Sequence, residues 1–294
     1  MKIKTCAILY NASFDLLDLN LQNNYKFVKR FLGEQELLSF FDETPMGLRR
    51  KYQEACLNPE LDIITAESNY YVSDDEYLQP SFEYELLTDL DRQIRLIRLV
   101  CNCTLHFSEF RYKFVTSKNQ VIVGTIPHID QRIEKNNIPF SIGKDQIKSI
   151  EKCFLSPYPF KNEWVYRVFD FYDSSFLLND EKSLVILITA FEMVFLKKEK
   201  GSKTEMISKR SAVYFGKSND EILYIYDQMK QAYSDRSNYI HEGREINNLA
   251  KKVEYLRHLL SQFILATQNT NICKDDFINE QIEKVKKLIF LLSK

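Results

Sequence analysis

Ile3, Thr5, Ala7 and Leu9 alternate with polar residues at the start of the chain, and Leu17, Leu19 and Leu21 do so again. A period of two is the mark of half-buried strands. Tyr112 to Ile126 repeats it, with Ser117-Lys118-Asn119 as the turn of a predicted hairpin. Between these stretches, Leu90, Ile94, Ile97 and Val100 or Cys101 recur at helical spacing within Asp89 to Cys101, and Asp145 to Phe154 reads as a second short helix.

The pattern changes after Ser156-Pro157-Tyr158-Pro159, where two prolines in three residues break any regular element. From there on the periodicity is helical. Asn162 to Phe171 places Trp164, Val168 and Phe171 on one side, and Glu181 to Lys198 is apolar nearly all round, as a central bundle helix is. Lys203 to Phe215, Asp220 to about Ile240, Glu245 to Thr267 and Asp276 to Leu292 follow over short connections. The expected class is therefore α+β overall: a mixed α/β region over 1–155, then an all-helical bundle over 156–294.

Composition narrows the classes. With 21 Phe and 17 Tyr among 294 residues, and only 7 Gly and 7 Pro, the chain is neither disordered nor collagenous. The longest apolar run, Leu184 to Leu196, is shorter than the ~20 residues a membrane span needs, and Glu192 interrupts it. No secretory leader is visible, and six scattered cysteines give no disulfide framework, so a soluble cytoplasmic protein is expected. The net charge of −1 divides into −3 before residue 155 (19 basic, 22 acidic) and +2 after it (21 basic, 19 acidic). A polyanion would have to be held by a local patch.

One helix carries candidate chemistry. Ser218 and Glu221 fit a capping box, and the helix they start has an apolar stripe of Ile222, Ile225, Met229, Ala232 or Tyr233, and Ile240. Arg236 falls on that stripe, where a guanidinium must be paired or must line a cavity or interface. His241 follows five residues later, then Gly243 as a terminator. In an unbroken helix Arg236 and His241 diverge by about 140°. They converge only if the helix end frays, or across a two-fold axis.

Tyr233-x-x-Arg236-Ser237-x-x-x-His241-x-Gly243 resembles the Arg-x4–6-His signature of the HEPN superfamily of helical ribonuclease domains, in particular the ApeA-like branch of bacterial anti-phage systems. Ile188 to Phe195 is similar to that branch's first core helix with its Ala-x-Glu element, here ending on Glu192. Ser208 to Val213 is similar to its second-helix element. The likeness spans roughly 160 to 270. It implies a homodimer that cuts RNA without metal or other cofactor in abortive-infection defence, with Arg236 and His241 catalytic and Glu192, Tyr233, Ser237 and Gly243 in support. A catalytically inactive HEPN module for dimerisation or RNA binding is the alternative. On the same reading the N-terminal region senses a phage-derived trigger or regulates the bundle. Ser237 stands where many active members carry Asn, Asp or His.

The residue types suit the chemistry. Metal-independent cleavage takes a proton from a 2′-hydroxyl, stabilises a pentavalent phosphorane and protonates the leaving 5′-oxygen. A His titrating near neutrality serves either transfer, and a forked, permanently charged Arg suits phosphate oxygens. Plainer roles stand beside these. His241 also suits capping of the last helical carbonyls, and Arg236 also suits pairing with Asp235, Asp227 or Glu192. Lys197, Lys198, Lys200 and Lys203, with Lys209 and Arg210, are RNA-phosphate candidates; the first four also complement a helix C-terminus. Cys101-x-Cys103 with His106 lacks the second donor pair of a zinc site, so packing is the expected role and no metal is assigned. His128 and His258 read as ordinary surface or satisfied histidines, and no phosphate-cradling glycine loop or dinucleotide fingerprint occurs.

Overall fold

The computed structural model describes residues 2–40, 60–71, 82–107, 109–116, 119–127, 140–158 and 160–292. Ser117, Lys118, His128 and Pro159, all named above, lie outside them, as does Cys56, one of the six cysteines. The chain divides into two compact units, Met1–Leu155 and Ser156–Lys294.

The first unit is built on one antiparallel sheet. Strands β1 (Lys2–Tyr10), β2 (Lys26–Phe31), β3 (Asp62–Tyr71), β5 (Glu109–Val115) and β6 (Val121–Pro127) are ordered β2-β3-β1-β5-β6, and the short β4 (His106–Phe107) pairs with the end of β1. Among the described residues it also carries helices α1 (Gln35–Leu38), α2 (Phe82–Cys101) and α3 (Lys144–Phe154). The register sets Ile3 between Tyr70 and Phe114, and Thr5 between Ser68 and Tyr112, so alternate β1 residues share one buried face with their neighbours. On the opposite face Cys6, Leu32, Leu37 and Phe40 pack together, and Arg30 binds Glu67 through two hydrogen bonds of 2.7 and 2.8 Å. Gly124 lies opposite Tyr112, whose ring crosses it so closely that a Cβ would sit 2.0 Å from Cζ.

Two expectations in this unit need correcting. The alternation of Leu17, Leu19 and Leu21 is not a strand: Phe14–Asp18 is a 3₁₀ turn. Ser13 accepts a bond from the Asp15 amide, and the turn buries Leu16 and Leu19 at a spacing of three while Leu17 faces water. Strands β2 and β3 were not foreseen, because charged Lys29, Arg30 and Glu67 sit within them.

The second unit is helical. Its elements are α4 (Glu163–Ser174), α5 (Asp180–Phe195), α6 (Lys203–Phe215), α7 (Asn219–Glu242), α8 (Leu249–Thr267) and α9 (Lys274–Leu292). Helix α5 runs through the middle, with Leu184, Leu187, Ile188, Ala190, Phe191, Val194 and Phe195 wholly buried. Trp164, Tyr214, Phe263 and Phe277 form a continuous aromatic cluster against Phe195. The buried stripe of α4 is Val165, Val168, Phe169 and Tyr172 rather than Trp164, Val168 and Phe171. Trp164 instead spends its indole N–H on the Ile272 carbonyl, 3.2 Å away. Among the described residues, no helix is long and apolar enough to cross a membrane.

Candidate functional site

Helix α7 is held at both ends by its sequence. The Ser218 hydroxyl accepts from the Glu221 amide at 3.2 Å, and the Glu221 carboxylate reaches back to the Lys217 amide at 2.7 Å, one residue before the expected target. At the far end Gly243 takes φ +64° and its amide bonds the Tyr239 carbonyl at 3.1 Å. Glycine is the residue for this left-handed cap. The helix is unbroken between the caps, so Arg236 and His241 diverge within one copy.

Helix lengths decide what this helix can touch. At about 1.5 Å per residue, α7 is about 36 Å long and its neighbour α6 about 20 Å. Glu205, near the start of α6, bonds the Tyr226 hydroxyl and the Lys230 ammonium of α7, each at 3.0 Å. The final turns of α7 therefore pass beyond α6 and are fixed by contacts from α5 and α8. Asp235, buried beside Arg236, accepts from Lys252 of α8 and from Gln231. Sequence reasoning named Asp235 only as a possible partner of Arg236 and missed Lys252. The readable signal was a carboxylate three residues beyond the buried Ala232, which demands a cation.

Glu192 of α5 faces Arg236. Its Oε1 accepts from the Tyr233 hydroxyl at 2.9 Å and from Arg236 Nη1 at 3.3 Å. The guanidinium also lies 5.7 Å from the centre of the Tyr233 ring. The Arg236 side chain is 23% exposed and that of Glu192 22%, while Arg236 Nε is enclosed with no acceptor among the described residues. Burial, reinforced by the bond to the Glu192 carboxylate, pushes the Tyr233 hydroxyl above its usual range. It stays protonated and donates.

Beyond this cluster the helix end opens to solvent. Ser237 is half-buried; Ile240, His241 and Gly243 are exposed, Ile240 by 48%. Ile240 thus leaves the apolar stripe assigned to it, because α7 has run past the elements that would cover it. His241 makes no hydrogen bond or ion pair among the described residues.

The cationic candidates divide. Arg210 is 5% exposed and fully engaged, binding Glu199 at 2.6 and 2.8 Å and the Phe195 carbonyl at 2.6 Å; it clamps α6 to the end of α5 and is no free phosphate ligand. Lys197 bonds Asn279. Lys198, Lys200 and Lys203 are exposed, and Lys209 pairs with Glu205 at 3.3 Å. In the first unit, Cys103 is buried, and His106 stacks on Tyr10 and holds the Thr104 carbonyl at 3.0 Å through Nδ1. Burial pushes the Cys101 thiol up to about 12. Among the described residues no group of three or more His, Cys, Asp or Glu is gathered as metal ligands. His258 is exposed, against Gln262.

Comparison of the chain with known proteins yields no match among family models, curated proteins or solved structures.

Proposed function

We propose that the helical unit is a metal-independent endoribonuclease domain of HEPN type, ApeA-like, working as a homodimer in anti-phage defence. The observation that carries this reading is the meeting of Glu192 with Tyr233 and Arg236. These residues lie 41 and 44 positions apart in two separately recognised sequence elements, and they share one carboxylate oxygen. Glu192 aims the guanidinium; Arg236 binds the scissile phosphate and the charge that grows on it. One His241 accepts the 2′-hydroxyl proton as the 2′-oxygen attacks phosphorus, and the His241 of the second copy protonates the departing 5′-oxygen. The products are a 2′,3′-cyclic phosphate and a 5′-hydroxyl. Because α7 is unbroken, one copy cannot turn both side chains to the same side, and a site composed across a two-fold axis supplies the missing group.

The test is cleavage of single-stranded RNA by the purified full chain in EDTA. Arg236→Ala and His241→Ala are each expected to lower the rate at least ~100-fold while the chain stays folded. Mixing the two variants should give heterodimers far below half activity. Activity that appears only with added divalent metal, or survives in both variants, or belongs to a strict monomer, refutes the reading. A non-cleaving RNA-binding scaffold is the second reading, favoured by Glu192 already neutralising Arg236; it predicts RNA bound and left intact.

A further inference from the structure

A cleft of about 210 Å³, open to solvent on one side, lies between the Lys200–Ser202 loop, the first turns of α6, and α9. Met206, Ile282 and Val285 form its apolar wall, and Lys200, Lys209 and Lys286 stand around it from three different segments. Two other charges in the wall are already spent. Arg210 is answered by Glu199, and Glu205 is held by Tyr226, Lys230 and Lys209. Among the described residues Lys286 pairs at the surface with Glu283, Lys209 shares Glu205 with Lys230, and Lys200 makes no ion pair.

Size and chemistry together restrict the occupant. The volume falls below the roughly 300–1,000 Å³ of sites that enclose a drug-sized molecule, so the cleft suits a group the size of a single ring. A thioether and two branched aliphatic side chains suit the face of such a ring. Ammonium groups are point charges that suit phosphates placed outside the cleft on either side of it. A ring flanked by phosphates is a nucleotide within a strand.

The cleft also lies along the same helix face as the Arg236 cluster. Tyr226, which holds Glu205 at the cleft, and Tyr233, which holds Glu192 beside Arg236, are seven residues apart on α7. That spacing puts them on one face, about 10 Å apart along the axis. We propose that this cleft is a nucleotide subsite for the RNA strand, receiving one unstacked base against Met206, Ile282 and Val285 while Lys200, Lys209 and Lys286 hold the neighbouring phosphates. This rests on the RNA reading above.

The probe is a fluorescent single-stranded 2′-O-methyl RNA 20-mer, which binds but cannot be cleaved, titrated by anisotropy at several salt concentrations. For Lys200→Gln/Lys209→Gln/Lys286→Gln the expected result is at least tenfold weaker binding, with the slope of log affinity on log salt shallower by about 2, roughly 0.7 for each phosphate no longer neutralised. Lys200→Gln alone, at an exposed position without an ion-pair partner among the described residues, should shift the slope by about 0.7 and guards against misfolding of the triple variant. Oligonucleotides with a single abasic position should bind wild type at least threefold more weakly at one register. If wild type binds and cuts RNA while the triple variant matches it in affinity and slope, the subsite is wrong and the nuclease reading stands. If wild type neither binds nor cuts RNA, both fall. Tight binding of an acidic peptide at these lysines in place of RNA would overturn the subsite in favour of a protein partner.

Discussion

Removing the charge of Glu192 should loosen the helical unit and release Arg236, and the size of the effect follows from the geometry. The Glu192–Arg236 contact is 3.3 Å. Two unit charges at that distance attract by about 5 kcal/mol at an effective dielectric of 20 and about 1.3 kcal/mol in water. About a fifth of each side chain is exposed, and both charge centres are spread behind the contacting atoms. The coupling therefore belongs near the lower figure, about 1–2 kcal/mol. A double-mutant cycle of Glu192→Gln and Arg236→Met measures it without the desolvation each ion carries alone. The chain has one tryptophan, Trp164, packed on Phe263 and Phe277 within the helical unit. Its fluorescence in urea thus follows this unit, whatever the first unit does. The coupling should shrink in 1 M salt, where the screening length falls to about 3 Å. On the nuclease reading, Glu192→Gln should also bind uncleavable RNA more tightly and cut more slowly, because the guanidinium gains freedom and loses aim. A coupling below about 0.3 kcal/mol, or one indifferent to salt, refutes the argument.

Three further outcomes are expected. The hydrogen bonds from Arg210 hold the Glu199 carboxyl below its usual value of 4.5, so the pair's contribution is complete above about pH 4.5 and lost as pH falls through the lower folded value; the stability gap between wild type and Glu199→Gln should be full above about pH 4.5 and close progressively as pH falls below it in urea melts. Gly243→Ala should cost about 1 kcal/mol by the same fluorescence assay, since its φ of +64° strains any Cβ although nothing lies within 4 Å of one. Among the described cysteines, exposed Cys273 should label with maleimide in the native protein, while Cys6, Cys103 and Cys153 label only on unfolding, as peptide mass mapping will show.

The helices were legible because each buries a stripe at its own period. Lys203–Phe215 matches the helix expected from periodicity at both ends, where the structure shows Ser202 capping one and Gly216 closing the other. The sheet was half legible. In β1 and the β5–β6 hairpin the alternation runs clear, whereas β2 and β3 carry an ionic network on the face away from Ile3 and Thr5. Arg30 there answers Glu67 and Glu34 at 2.7 Å, and no periodicity count registers charges that satisfy one another across strands. At the site the same limit applies. Arg236 on an apolar stripe announced a partner, but the choice among Asp235, Asp227 and Glu192 depended on which helices lie against α7. Asp235 belongs to Lys252, and Glu192 is left for Arg236.

That division of partners bears on how the two candidate catalytic groups differ. Arg236 is anchored through Glu192 to the most buried helix of the bundle, and its neighbour Asp235 is anchored to α8, so its position is fixed by two elements. Five residues on, the helix has left α6 behind, and among the described residues no side chain holds His241. A phosphate-binding group gains from such preorganisation, because stabilisation of developing charge depends on donors already in place. A proton-transfer group on an exposed final turn lacks it. On the dimeric reading the second copy supplies the remaining order, and exposed Ile240, beside His241, is the apolar surface that pairing would cover. Ile240→Asp should then lower RNA cleavage by weakening association, and higher protein concentration should restore it, whereas no amount of added protein should rescue Arg236→Ala. Equal concentration dependence for the two variants would remove Ile240 from the contact and leave His241 without a source of order.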